Sequence, residues 1–288
     1  MSSTEVTFQA QGLRIVADRW SLPDGVESRG TVLLLHGGGQ TRHSWSKSGA
    51  RFASFGWNSY AIDARGHGDS EWSATGDYSM DALVGDLHAI VAALGVRPIL
   101  VGASLGGLTS LVAQGESPGL ARALVLVDIA PRMEPAGIRR ILDFMAENPS
   151  GFASLEEVGA AIQAYNPRPD RPVNLEGLKK NVRLHDDGRW YWHWDPAFLN
   201  MGDEASRDTR QSRLNAAAAN INIPTLLVRG ANSDVVSSEG AEELQKLIPG
   251  AQVSEVVAGH MVAGDDNDVF AERVVEFLDV ALPAQPAG

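Results

Sequence analysis

The sequence predicts an α/β fold, a mainly parallel sheet covered by helices and interrupted once by a long insert. Three observations carry that prediction. Short apolar, β-branched runs alternate with amphipathic stretches, the pattern of strands joined by helices. Several of these runs are apolar almost without a break, as strands buried on both faces are. The alternation then stops at about Pro131 and resumes after about Asn220.

Taken in order, Val6 to Trp20 is the most polar of the strand-like segments and reads as an antiparallel hairpin at one edge. Apolar runs follow at Thr31 to Leu35, Ser59 to Ile62, Ile99 to Val101, Ala123 to Val127, Thr225 to Val228 and Val253 to Val257. Between them, Leu83, Leu87, Ile90, Val91 and Leu94 share one face at helical spacing, and Phe270, Val274, Phe277 and Leu278 share another. Asp268 is a candidate N-cap for that last helix, and Asp265 and Asp266 are expected to serve its start. The interruption has a helical face of its own, Ile138, Ile141, Leu142 and Met145, and a dense aromatic stretch, Trp190-Tyr191-Trp192-His193-Trp194. An insert between two strands of a parallel sheet lies over their carboxyl ends, where ligands bind. The expected organisation is a core of residues 1–130 and 221–282, a mostly helical lid of residues 131–220, and a short tail of residues 283–288.

The composition narrows the function classes. The chain has 288 residues, 44% of them hydrophobic and 21% charged, enough for a sizeable core. Its formal charge is −12 with no cluster of Lys and Arg, which disfavours nucleic acid and anionic membrane as partners. It has no cysteine, so disulfides, thiolate metal sites and a cysteine nucleophile are excluded. The amino terminus carries no basic and apolar leader, and no apolar run is long enough to span a bilayer. A cytoplasmic protein acting on a small molecule is the expectation. Neither a metal nor an organic cofactor is expected, since there is no His-Glu-x-x-His and no Gly-rich dinucleotide fingerprint. The sequence leaves the oligomeric state open.

The chemistry centres on Ile99-Leu100-Val101-Gly102-Ala103-Ser104-Leu105-Gly106-Gly107-Leu108. Gly-x-Ser-x-Gly alone is weak, but here a buried-type strand precedes it and a helical stretch follows. That context holds a serine on a strained turn with its hydroxyl exposed at the top of the sheet, and it requires small residues two before and two after. The helix start also points backbone N–H groups at a developing oxyanion. Leu33-Leu34-Leu35-His36-Gly37-Gly38-Gly39 closes an early strand with three glycines, which admit a substrate oxygen close to the backbone. Leu105 is the expected first oxyanion donor and Gly38 the second, with Gly39 as an alternative. His36 is expected to brace this loop.

His260 lies in a loop just beyond the last strand, free to reach the serine, and is the expected general base. Two acids compete for the third role. Asp128 follows the run Ala123 to Val127, and Asp234 follows the run Thr225 to Val228; both give the chain order serine, aspartate, histidine. Asp234 is favoured because its loop neighbours the histidine loop. Asp128 is then expected to brace the entrance to the lid.

Together these residues resemble the α/β-hydrolase superfamily, over nearly the whole chain outside the lid. The resemblance rests on His36-Gly37-Gly38-Gly39, Asp63-Ala64-Arg65-Gly66-His67-Gly68-Asp69-Ser70, the Ser104 turn, Asp234 and Gly259-His260. It implies an α/β-hydrolase fold with an eight-stranded sheet, and it makes the Asp63 to Ser70 loop a structural turn with internal hydrogen bonds. The chain is similar to the branch of esterases, perhydrolases and epoxide hydrolases with a helical cap. Ser104 stands where epoxide hydrolases and haloalkane dehalogenases carry aspartate, so an alkyl-enzyme is not expected. The resemblance implies acyl transfer by a Ser104–His260–Asp234 triad on a small to medium hydrophobic ester or lactone. Carbon–carbon bond hydrolysis, cofactor-free perhydrolase chemistry and a non-catalytic ligand-binding protein are the alternatives. Trp45, Trp190, Trp192 and Trp194 are the candidate substrate-binding residues; if the stretch is extended, the last three share one face.

Overall fold

The computed structural model describes residues 1–167, 174–200, 207–260 and 267–283. The first half of the chain runs β1 (Thr4–Ala10), β2 (Leu13–Trp20), β3 (Thr31–Leu35), α1 (Ser46–Ser54), β4 (Asn58–Ile62), α2 (Met80–Leu94), β5 (Ile99–Ala103), α3 (Leu105–Glu116) and β6 (Ala123–Val127). The insert contains α4 (Pro135–Ala146), α5 (Leu155–Tyr165), the short α6 (Leu175–Leu178) and a hairpin of β7 (Val182–Leu184) with β8 (Trp190–Trp192). The chain then returns through α7 (Arg207–Ala219), β9 (Thr225–Gly230), α8 (Ser238–Leu247), β10 (Gln252–Val256) and α9 (Asn267–Ala281).

Eight strands form one sheet in the order β1-β2-β4-β3-β5-β6-β9-β10. Only the pairings of β2, with β1 and with β4, are antiparallel; every other pairing is parallel. Strand alternation divides the apolar side chains between two cores. Leu33, Leu35, Leu100, Leu124 and Leu126 face α2, α3, α7 and α8, whereas Val32, Leu34, Val101, Val125 and Val127 face α1 and α9. Burial on both faces is why the central runs lack the polar alternation of the β1–β2 hairpin. α2 begins where the Ser79 hydroxyl accepts from the N–H of Ala82 and ends at Gly95, whose φ of 66° suits the residue without a side chain.

One boundary differs from expectation. α7 falls within residues 131–220 yet belongs to the core: Leu214, Ala217 and Ala218 are buried in the layer beneath the sheet. α7 and α3 meet backbone to backbone, since a Cβ on Gly115 would lie 2.3 Å from the carbonyl oxygen of Ala217. The part of the insert that covers the strand ends therefore stops before Arg207. It includes a hairpin as well as helices. At the far end, α9 starts at Asn267, so Asp268 lies inside the helix rather than ahead of it. Asp265, Asp266 and the tail from residue 284 lie outside the described residues. Among the described residues, no helix is long and apolar enough to cross a membrane.

Candidate active site

Ser104 occupies the turn between β5 and α3, with φ 46° and ψ −114°, a region that non-glycine residues rarely enter. Hydrogen bonds from neighbouring elements over-determine this backbone. The N–H of Ser104 donates to Val127 O at 3.3 Å, and its carbonyl accepts from the N–H of Leu108 at 2.9 Å. The small-residue requirement is met by contact: a Cβ on Gly102 would lie 2.4 Å from Gly106 O, and one on Gly106 would lie 2.5 Å from Leu35 O.

His260 reaches the same cavity floor from the loop after β10, and its Nδ1 donates to Asp128 Oδ2 at 2.7 Å. The structure thus pairs the histidine with Asp128, not with Asp234. Asp128 is fully buried at the end of β6 with φ 50°. Its other oxygen accepts from the N–H of Gly230 at 2.9 Å, and Oδ2 also accepts from the Ser233 hydroxyl. Asp234 is half exposed and forms an ion pair with Arg140 of α4 at 2.9 Å.

The expectation failed on direction rather than position. The β9 loop does adjoin the histidine loop, with Ala231 N–H on Val256 O at 2.8 Å and Asn232 N–H on Ala258 O at 3.0 Å. A tight turn, Ser233 N–H on Gly230 O at 3.0 Å, then aims Ser233 at Asp128 and turns Asp234 outward to the insert. A signal for Asp128 was present in the sequence. It sits in an otherwise apolar run from Ala123 to Ala130, and a carboxylate carried into a core requires partners there. Asp234, between Ser233 and Val235 in a turn-rich segment, has no such requirement.

Opposite the histidine, the glycine loop uses its N–H groups one by one. Gly37 N–H donates to Gln40 Oε1 at 3.1 Å, Gly39 N–H to His67 Nε2 at 3.1 Å, and Gln40 N–H to Gly37 O at 3.1 Å. At the helix start, Gly106 N–H donates to His36 O at 3.1 Å. The N–H groups of Gly38 and Leu105 make no such bond among the described residues. Gly38, not Gly39, is left with a donor to offer.

Above this floor lies a cavity of about 490 Å³, bounded by Gly37 to Gly39, Ser104 and His260 below and by the insert above. Ile141, Phe144 and Met145 of α4 supply much of its apolar wall. Trp192 and Trp194 also line it, stacked at 4.9 Å and 12°. The other two candidate tryptophans, Trp45 and Trp190, do not. Trp45 is wholly buried in the core on the α1–α9 face, with its ring 5.8 Å from Phe270. Trp190 packs under the hairpin beside Phe152, with which it exchanges backbone hydrogen bonds. Trp190 and Trp192 do alternate onto one side of β8. Only Trp192 and, past the strand end, Trp194 extend over the cavity.

The model of the alpha/beta hydrolase fold family matches residues 30–266. The chain belongs to the α/β-hydrolase family. It is 31% identical over 260 residues to an esterase, Rv0045c, of Mycobacterium tuberculosis, covering 86% of this chain and 82% of that protein. It is 28% identical to the sn-1-specific diacylglycerol lipase ABHD11 of Mus musculus, covering 92% and 86%. Among solved structures, an α/β hydrolase from Novosphingobium aromaticivorans superposes with a TM-score of 0.79 at 23% identity, covering 97% and 99%. The structure of the M. tuberculosis esterase superposes with a TM-score of 0.73 at 28% identity, covering 97% and 92%.

In this hydrolase the Asp63 to Ser70 loop is a scaffold, as its internal bonds show. The Ser70 hydroxyl donates to Asp63 O at 2.7 Å, and Asp69 N–H donates to Asp63 Oδ2 at 3.0 Å. Arg65 grips Asp86 of α2 with two parallel bonds of 2.6 and 2.7 Å. Sequence reasoning did not single out Arg42, which ties the loop to β2. It is buried and pairs with Asp63, with Asp69 at 2.6 Å and with Asp18 at 3.1 Å. Burial alone would disfavour the Arg42 charge, but the three carboxylates outweigh it and raise its pKa above the ordinary value.

Proposed function

We propose that this α/β hydrolase cleaves carboxylic esters through an acyl-enzyme on Ser104, with His260 as general base and Asp128 as the acid that orients it. The observation that carries the proposal is the bond between His260 Nδ1 and buried Asp128, on a cavity floor that also presents strained Ser104. With Nδ1–H committed to Asp128, Nε2 is the nitrogen that accepts the Ser104 proton as Oγ attacks the ester carbonyl. The carbonyl oxygen becomes an oxyanion between the N–H groups of Gly38 and Leu105. Protonated His260 then returns its proton to the departing alkoxide. In the second half a water gives its proton to Nε2 as its oxygen adds to the acyl carbon, His260 returns that proton to Ser104 Oγ as the Oγ–acyl bond breaks, and the acid leaves.

The names of the relatives, an esterase and a diacylglycerol lipase, support ester bonds. A cavity of about 490 Å³ walled by Ile141, Phe144, Met145, Trp192 and Trp194 supports small to medium hydrophobic esters or lactones. Trp192→Ala is expected to change the ratio of activities on aryl and short alkyl esters, whereas Trp190→Ala leaves that ratio alone; steady-state rates on a matched ester pair measure both.

The test of the chemistry is intact mass after exposure to a fluorophosphonate probe, for the parent, Ser104→Ala and His260→Ala. One adduct, mapped to Ser104 and formed much more slowly without His260, is the expected result. A folded parent that takes no adduct from this probe or from a smaller one overturns the proposal.

A further inference from the structure

Behind the glycine loop stand three buried histidines, His36, His67 and His193, with successive ring centroids 5.2 and 5.7 Å apart. Two come from loops of the core. The third comes from the insert, just beyond β8.

Their partners fix their tautomers, because a ring nitrogen that faces an N–H must be the unprotonated one. The N–H of Ala64 donates to His36 Nε2 at 3.0 Å, so its Nδ1–H donates to Gly37 O at 2.8 Å. The N–H of Gly39 donates to His67 Nε2 at 3.1 Å, so its Nδ1–H donates to Arg65 O at 3.1 Å. The N–H of Gly68 donates to His193 Nδ1 at 2.8 Å, so its Nε2–H donates to Gly39 O at 3.2 Å.

Each histidine thereby holds one of three consecutive peptide groups. His36 holds the Gly37–Gly38 peptide by its oxygen, His67 the Gly38–Gly39 peptide by its N–H, and His193 the Gly39–Gln40 peptide by its oxygen. The first of these peptides carries the N–H of Gly38. A planar peptide fixes its N–H opposite its C=O, so the direction of that donor depends on what holds this run of glycines. Glycine supplies no stiffness of its own. The insert also seats on the loop here: Cβ atoms added to Gly38 and Gly39 would lie 3.4 Å from Phe198 and 3.2 Å from Met145.

We propose that His193 is a positioning residue for the oxyanion hole, so that the Gly38 donor is aligned only when the insert is seated with His193 on Gly39. The insert then does two things at once: it walls the cavity and completes the site beneath it. The inference rests on the ester-hydrolase reading above.

The experiment is steady-state kinetics on a short p-nitrophenyl ester for the parent, Ser104→Ala, His193→Gln, His193→Asn and His193→Ala. Gln can still present an N–H near Gly39 O, whereas Asn reaches only far enough to serve Gly68. Removing an oxyanion donor outright costs about 10²–10³ in turnover, so misaligning one is expected to lower kcat about 10–100-fold in the Asn and Ala variants. KM stays within about threefold, and His193→Gln keeps most of kcat. Loss that appears only in KM, equal loss in Gln and Ala, or no loss in any variant overturns the inference. If His193→Ala does not fold, the Gln and Asn pair decides. A parent no faster than Ser104→Ala overturns the hydrolase reading and this inference with it; a parent far above Ser104→Ala with a flat His193 series overturns this inference alone. Imidazole nitrogen NMR on the parent gives a readout apart from activity. An Nε2–H tautomer at His193 and an Nδ1–H tautomer at His67 are expected, and the opposite tautomer at His193 overturns the assignment.

Discussion

Ser104 has two flanks, and they are stabilised in opposite ways. On one, His260 rests on the carboxylate of Asp128, itself held by Gly230 N–H and the Ser233 hydroxyl. On the other, the glycine loop rests on His36, His67 and His193, all deeply buried. On the proposed mechanism the first flank gains a positive charge when His260 takes a proton, and the buried carboxylate of Asp128 lies against it. On the same proposal the second presents fixed N–H dipoles to the oxyanion, and neutral imidazoles support it. Burial lowers the pKa of all three of these histidines; the neighbouring rings lower those of His67 and His193 further, and His67 falls to about 3.

The largest effect that would break this contrast lies on the acid flank. Asp128→Asn should leave the fold intact and lower kcat by roughly 10³–10⁴, because the neutral amide no longer selects the tautomer of His260 or stabilises its charged form. Rates on a p-nitrophenyl ester, with a thermal melt as control, would show it. A variant that keeps most of its activity would mean that His260 is oriented by something else.

Acid should act mainly through the other flank. A histidine whose folded pKa is depressed favours folding fully above its unfolded value of about 6.5, and that contribution is lost as pH falls from there toward the folded value. The unfolded chain binds more protons in this window, so stability must fall with pH. His36 faces Asp63 and Arg42, and His193 faces Arg183 as well as the other two rings, so the carboxylate of Asp63 partly offsets the loss at His36 alone. Urea midpoints should decline between about pH 6.5 and 4.5, before ordinary carboxylates titrate near 4. A midpoint constant across that window would contradict the neutral, buried cluster.

A smaller effect sharpens the acid flank. Ser233→Ala removes one of the groups that orient Asp128 and should lower kcat about tenfold, the scale of a lost hydrogen bond to a charged group. The smallest belongs to Asp234. Its pair with Arg140 is half exposed on both sides, so Asp234→Asn should change stability by about 1 kcal/mol or less and kcat by about twofold or less. A large kinetic loss there, with Asp128→Asn active, would restore the assignment that chain position suggested.

How legible the site was depends on the scale at which each residue is positioned. The Ser104 turn could be read directly, since its requirements lie within five residues: Gly102 and Gly106 must be small because their backbones touch. The three glycines after Leu35 were legible as a loop that brings backbone N–H groups beside Ser104. Choosing Gly38 over Gly39 needed His67 and Gln40, which occupy the neighbouring N–H groups. Trp45 looked like a pocket residue because it follows that loop closely. The short helical turn from Arg42 to Trp45 carries it into the core against Phe270 instead.

The sequence by itself determined the mainly parallel sheet, the strand-to-helix turn that carries Ser104 and the loop position of His260 after the last strand. Periodicity and small-residue spacing act over a few neighbours, and the chain states them locally. Tertiary structure alone decided which aspartate meets His260, which tryptophans see the cavity, and that a histidine from the insert holds the glycine loop. Each of those depends on the direction of one side chain at a junction of segments far apart in sequence. Asp128 and Asp234 lie in the segments that follow adjacent strands of the same sheet, and a single turn at Ser233 separates a buried partner of His260 from a surface ion pair.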